Sequence, residues 1–177
     1  VMALRPRLEP VDIDLPGPLD ALSTRMWLIM AASLGQEARV NRAILNDDLI
    51  ELIKACNQAG ANMSWDQDGA EAKPAFLEFD HTSIFAGQDA FNFYALLCLA
   101  MSAPGVCRFN GGTRLKSESM GFVSSVLSAF GARRVSLVPG SEGVPLRLEA
   151  SGHIPGQLEV PENAPQELIL ALLLVDR

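Results

Sequence analysis

The chain has 177 residues, 49% of them apolar, with 14 lysines and arginines against 21 aspartates and glutamates, for a net charge of −7. That much apolar chain can build one sizeable core, which excludes a disordered protein, and the acidic balance excludes nucleic acid as a natural partner. No apolar run is long enough to span a membrane, and no apolar stretch follows the charged start Val1 to Arg7, so neither a membrane partner nor a secretory leader is expected. The opening residue is valine rather than methionine, as expected of a trimmed chain. Three cysteines, Cys56, Cys98 and Cys107, show no CxxC spacing. A disulfide scaffold or zinc site is therefore not expected, and a reducing, cytoplasmic setting is. His81 and His153 are far apart and read as loop or strand-edge residues rather than metal ligands.

Leu22, Met26 and Ile29 share one face of a helix expected over 22–34. Val40-Asn41 opens an extended stretch. Asn46-Asp47-Asp48 then leads into Leu49, Ile50, Ile53 and Cys56, whose spacing gives a helix over 47–59 that stops at Gly60. An extended segment, Ala61 to Trp65, follows. A helix over 89–101 precedes the strand Val106 to Phe109 and the turn Gly111-Gly112. Met120, Val123, Leu127 and Phe130 form the apolar face of a helix over 117–130, which Gly131-Ala132 ends as Gly60-Ala61 ends its counterpart. Val135 to Val138 reads as a strand, and the turn at 139–143 leads into the alternating strand Val144 to Leu148.

The order strand–helix–strand–helix–strand–strand thus occurs twice, in units of about 11–80 and 81–150. A third unit starts within 151–177, from an extended Gln157 to Val160 and a helix over Gln166 to Val175. A helix as apolar as Leu168 to Val175 needs a surface to pack on, so a partner over that end, or a fragment of a longer protein, is expected.

This tandem α/β order, with four local stretches, resembles one inside-out lobe of the enolpyruvyl transferases of the EPSP synthase type. Leu15-Pro16-Gly17 followed by Ser23-Thr24-Arg25 resembles the family's Pro-Gly … Ser-x-Arg opening. Leu45-Asn46-Asp47-Asp48 with Gly60 resembles the helix that comes next. Gly112 through Arg114-Leu115-Lys116 to Met120, with Leu127 … Gly131-Ala132, resembles the Gly-x-x-Arg segment and its helix. Ala164-Pro165-Gln166 before Leu170-Ala171-Leu172-Leu173 resembles Ser-Ser-Gln and its Ala-Leu-Leu helix. The resemblance covers nearly the whole chain. It implies transfer of an enolpyruvyl group from phosphoenolpyruvate to shikimate 3-phosphate, a step of aromatic amino acid biosynthesis, across a cleft between two lobes. Only one lobe is present here. The resemblance implies a phosphorylated small-molecule substrate, and no cofactor or metal.

Substrates so rich in phosphate and carboxylate call for converging Arg and Lys side chains. The matching substrate-binding positions are Ser23, Thr24, Arg25 and Gln166, with Arg114 and Lys116 as further candidates. Each has a plainer reading: Ser23 as a helix cap, Gln166 as a helix-start residue, Arg114 and Lys116 as a solvated face. Arg25, near the positive end of a helix, needs a nearby anion or carboxylate.

Several family cations are missing. Pro18-Leu19-Asp20 stands where a lysine is expected. The family's Asn-Ala-Gly-Thr-x-x-Arg loop falls on Ala86 to Asn92, so its threonine becomes Asp89 and its arginine Asn92. The Arg-Pro pair falls on Glu118-Ser119, and the two serines of Ser-Ser-Gln become Ala164 and Pro165. No residue is assigned a catalytic role. The site is expected to be degenerate and the chain inactive alone. The alternative is a non-catalytic homologue kept as a binding or assembly module. Pro104-Gly105-Val106-Cys107 echoes the Pro-Gly-x-Cys loop of the UDP-N-acetylglucosamine transferases, but its spacing places Cys107 in a strand, as a core residue. An RNA 3′-phosphate cyclase would want a nucleophilic histidine and basic patches, and neither is seen.

Overall fold

The computed structural model describes residues 20–118 and 120–175. The Leu15-Pro16-Gly17 stretch, the strand expected at the start of the first unit and Ser119 lie outside them.

Helix α1, Ala21–Leu34, starts where the Asp20 carboxylate accepts the backbone N–H groups of Leu22 and Ser23, at 3.0 and 2.9 Å. Strand β1, Ala38–Asn41, leads to helix α2, Asp47–Gln58, which Asn46 caps through Leu49 N at 2.9 Å. Strands β2, Asn62–Asp66, and β3, Gly69–Lys73, close the first half. Strand β4, Ser83–Phe85, helix α3, Ala90–Met101, and strand β5, Pro104–Asn110, open the second. Helices α4, Thr113–Lys116, and α5, Val123–Ala129, are followed by strands β6, Ala132–Ser136, and β7, Leu146–Ser151. Helix α6, Gln166–Leu172, comes last.

The two sheets repeat one wiring. The first has the order β1-β3-β2, the second β4-β5-β7-β6. In each, a strand–helix–strand pair (β1 and β2, or β5 and β6) is separated by the strand that follows, which runs antiparallel to both. The second sheet adds β4, parallel to β5. Gly60 and Gly131 end the equivalent helices with φ of 90° and 60°, values that glycine adopts at little cost. Apart from the opening strand of the first unit, which lies outside the described residues, the tandem βαβαββ plan expected from the sequence is the architecture of the protein.

Helix α3 is the centre of the molecule. Eleven of its residues, Phe91 to Met101, are buried. It packs on α2, α6, β5 and β7, with Phe93 set edge-on against Tyr94 and Phe109 at 5.3 and 5.8 Å. A helix apolar all round needs cover on every side, and α6 supplies part of it. Part of the surface that Leu168 to Val175 needs is thus found within the chain. Leu168, Ala171, Leu172, Leu174 and Val175 are already buried within the chain, and only Ile169 and Leu173 are exposed outward.

Two expectations shift. The helix expected over 117–130 is shorter, Val123–Ala129, and a separate short helix, α4, ends before it at Lys116. The Ser117 hydroxyl donates to the Arg114 carbonyl, and the Glu118 carbonyl lies against Gly143. Met120 and Phe130 are nonetheless buried as expected. The segment Gln157 to Val160 joins no sheet; Pro155 and Pro161 on either side of it lack a backbone N–H, which works against extending a ladder through it.

Candidate functional site

The first turns of α1 and α3 meet where Arg25 joins Asp89 and Asn92, the two residues that depart from the loop pattern the sequence resembles. Arg25 is buried, with its side chain 7% exposed. One guanidinium nitrogen, Nη1, donates to Asp89 Oδ1 at 2.5 Å and to Asn92 Oδ1 at 2.9 Å. Nε donates to the Ala21 carbonyl at 3.3 Å, and the guanidinium carbon lies 5.3 Å from the centre of the Phe91 ring. Asp89 is also the cap of α3, accepting Asn92 N at 3.1 Å. Asn92 donates in turn to the Asp48 carbonyl at 2.7 Å, which ties the start of α2 to the same cluster. Arg25 therefore has the carboxylate its position requires, and it is the chain's own.

Ser23 lies beside Arg25, but its hydroxyl is engaged too, donating to Asp20 Oδ2 at 2.6 Å. That bond, with the Ser23 backbone N–H, holds the exposed Asp20 carboxyl below its ordinary value. The cap of α1 is Asp20, not Ser23. The free N–H groups of α1 thus already face a negative charge. Thr24 is buried, and its Oγ1 has no hydrogen-bond partner.

The loop at 86–89 gathers the remaining groups. Glu51 of α2 accepts Gln88 N at 2.8 Å, and Gln88 Oε1 accepts Arg114 N at 3.0 Å. Arg114 and Lys116 are exposed on α4, and among the described residues neither side chain has a polar partner. Gln166 is exposed at the start of α6, and its side chain makes no hydrogen bond to Ser23, Thr24 or Arg25. Burial pushes the Tyr94 phenol up, and the charges of Glu118 and Glu167 add to this, so the start of α6 brings further acid toward α3. The rim over these helix starts is acidic: Asp20, Asp47, Asp48, Glu51, Asp89 and Glu118 against Arg25, Arg114 and Lys116.

Cys107 is 3% exposed, and burial pushes its thiol up to about 12, with Asp80 adding to the effect. It is a core thiol, without the lowered pKa of a reactive one. Among the described residues no cluster of His, Cys, Asp and Glu could hold a metal, and no helix is long and apolar enough to cross a membrane.

What the sequence reading missed was the joining of Asp89 and Asn92 to Arg25. The signal was present as a paired change, threonine to Asp89 and arginine to Asn92, three residues apart in one loop. Read together, the two changes supply a carboxylate and an amide oxygen to a buried guanidinium.

No family model matches the sequence, and no curated protein does. Among solved structures, EPSP synthase from Acinetobacter baumannii matches with a TM-score of 0.73 at 13% identity, over 89% of this chain and 36% of that one. A second structure of EPSP synthase from Acinetobacter baumannii matches at 0.70 and 13%, over 86% and 35%. The enolpyruvyl transferase NikO from Streptomyces tendae matches at 0.53 and 17%, over 88% and 35%. At these identities the likeness is one of fold, and the chain spans 36% or less of each of these proteins. The chain has the lobe fold that its motifs imply.

Proposed function

We propose that the chain is an EPSP-synthase-like lobe that does not turn over on its own, because its anion position is filled from within. The observation that carries this reading is the Arg25–Asp89 pair at 2.5 Å, braced by Asn92. A phosphate or carboxylate competing for Arg25 would have to displace a carboxylate already in place. The losses at Asn92 and Glu118 remove the further cations that enolpyruvyl transfer from phosphoenolpyruvate to shikimate 3-phosphate calls for. On this reading the lobe serves as a binding or assembly module in a cytoplasmic setting, with no cofactor.

Phosphate release from phosphoenolpyruvate and shikimate 3-phosphate tests it. No release above background is expected from the purified chain, and turnover at roughly 1 per second or faster overturns the reading.

One observation favours a second reading. The chain spans 36% of the EPSP synthase it matches, so another lobe could complete a working site. Ser23, Thr24, Arg25 and Gln166 would then hold shikimate 3-phosphate, with Arg114 and Lys116 at the rim. Titration of shikimate 3-phosphate into the unaltered chain separates the two. Saturable binding at millimolar concentration or tighter, lost in Arg25→Gln, would support the second reading against the first.

A further inference from the structure

The exposed face of the second sheet is built differently from the acidic helix starts. Strands β4 and β5 alternate strictly, with Ile84, Cys107 and Phe109 turned inward and Ser83, Phe85, Arg108 and Asn110 outward. Beyond them, Leu137 and Pro145 come together through the Leu137 N–H bond to the Pro145 carbonyl at 3.1 Å. These side chains line a cavity of about 340 Å³, a volume suited to a small molecule. Its mouth is fixed from the other side by α2, where Gln58 Oε1 accepts the Phe85 N–H at 2.7 Å. Phe85 and Leu137 are 44% and 46% exposed, so two large apolar groups stand open beside one another.

The charge on this face is unbalanced. Arg108 lies directly opposite Arg147 in the β5–β7 register, an arrangement of like charges that destabilises a sheet unless something compensates. Glu149 is the carboxylate on this face, and it is already shared, accepting Arg147 and Arg133 at 2.6 Å each. Arg108 has no acid partner among the described residues. Arg147 Nε, shut off from water, has no hydrogen-bond partner either. Other exposed cations of the chain, such as Arg114, stand on a helix, whereas Arg108 stands at the edge of an apolar-walled cavity.

We propose that this cavity binds a small organic carboxylate with an apolar body, its carboxylate on Arg108 and its body against Phe85, Leu137 and Pro145. A planar guanidinium presents two parallel N–H groups that match a carboxylate. Ser83 and Asn110 flank Arg108 with further polar groups. A more highly charged anion such as phosphate would press unsolvated oxygens against three apolar walls, which is costly. The site is separate from Arg25 and does not depend on the function proposed above.

Benzoate is a suitable probe, titrated into the full chain labelled with nitrogen-15 while amide shifts are followed. Saturating shifts are expected at residues 83–85 and 108–110. Acetate, which lacks the body, and benzyl alcohol, which lacks the charge, are each expected to bind about tenfold more weakly or worse. Arg108→Gln should weaken benzoate by about tenfold, whereas Arg42→Gln, which removes an exposed arginine from the turn after β1, should leave it unchanged. Arg108 is exposed, so the variant is expected to keep the native amide spectrum. Should it not fold, the contrast between benzoate and benzyl alcohol on the unaltered chain decides alone. Shifts that never saturate, equal binding of benzyl alcohol, undiminished binding in a folded Arg108→Gln, or shifts centred on Arg25 and Asp89 would each overturn the proposal.

Discussion

Arg25 shows how one buried side chain can decide what a site is for. A guanidinium in the first turns of a helix sits against an unfavourable dipole and cannot shed its proton, so the fold must supply a negative partner or leave room for one. Here Asp89 supplies it, and the variant Asp89→Asn separates the two roles of that carboxylate. Asparagine can still cap α3 by accepting Asn92 N, so the helix start survives. The charge-assisted bond to Arg25 is lost, and a drop of about 1–3 kcal/mol in unfolding free energy is expected by urea titration. Inorganic phosphate should then raise the melting temperature of the variant more than that of the unaltered chain, because only the variant leaves Arg25 for an anion. An equal response of both proteins would show that Asp89 does not occupy an anion position. The sequence revealed that Arg25 needs an anion and that Asp89 had replaced a threonine. It did not reveal that the one answers the other, because residues 64 positions apart meet only once α1 and α3 are placed side by side. Asp20 is hidden for a related reason: in sequence it only stands where a lysine is expected, and its local work as a cap, three residues before Ser23, shows only in the bonds it accepts.

At the scale of elements, the periodic helices were legible and the short strands were not. Helices α1, α2 and α3 fall within about two residues of their expected bounds, since each joins a capping side chain to an apolar run. Strands β3 and β4 are Gly-Ala-Glu-Ala-Lys and Ser-Ile-Phe, too short or too poor in β-branched residues to stand out. Their position comes from pairing: β3 fits between β1 and β2 because the Asp66 carboxylate accepts the N–H groups of Asp68 and Gly69, at 2.8 and 2.9 Å, and folds the hairpin. The helix ends carry a sharper test. A methyl group on Gly60 would lie 3.1 Å from the Phe76 carbonyl, part of the strap that bonds to α2 through Glu78 N and the Ala59 carbonyl at 2.7 Å. Its φ of 90° adds backbone strain. Gly60→Ala is expected to cost about 1–3 kcal/mol in a urea titration, with protection from amide exchange lost first at Glu78. A loss below about 0.5 kcal/mol would mean the strap moves aside freely.

The two repeated units share one core, and the whole molecule should therefore unfold in a single step. Helix α3 belongs to the second unit by sequence, yet it packs on α2 of the first and carries, at its start, the partners of Arg25 on α1. Trp27 and Trp65, the only tryptophans, both belong to the first unit, in α1 and β2. Their fluorescence follows that unit alone, while far-ultraviolet circular dichroism follows both. The two signals are expected to give one urea midpoint, as for a two-state domain. Leu97→Ala, which truncates a side chain 1% exposed in the middle of α3, should lower that common midpoint by the equivalent of about 2–5 kcal/mol. Against the 5–15 kcal/mol typical of a domain this is a large share, and it should fall equally on both signals because the cavity lies in a core both units use. A tryptophan midpoint that stays fixed while the circular dichroism midpoint falls would show two independent units, each with its own core, and α3 would then be a member of the second unit only.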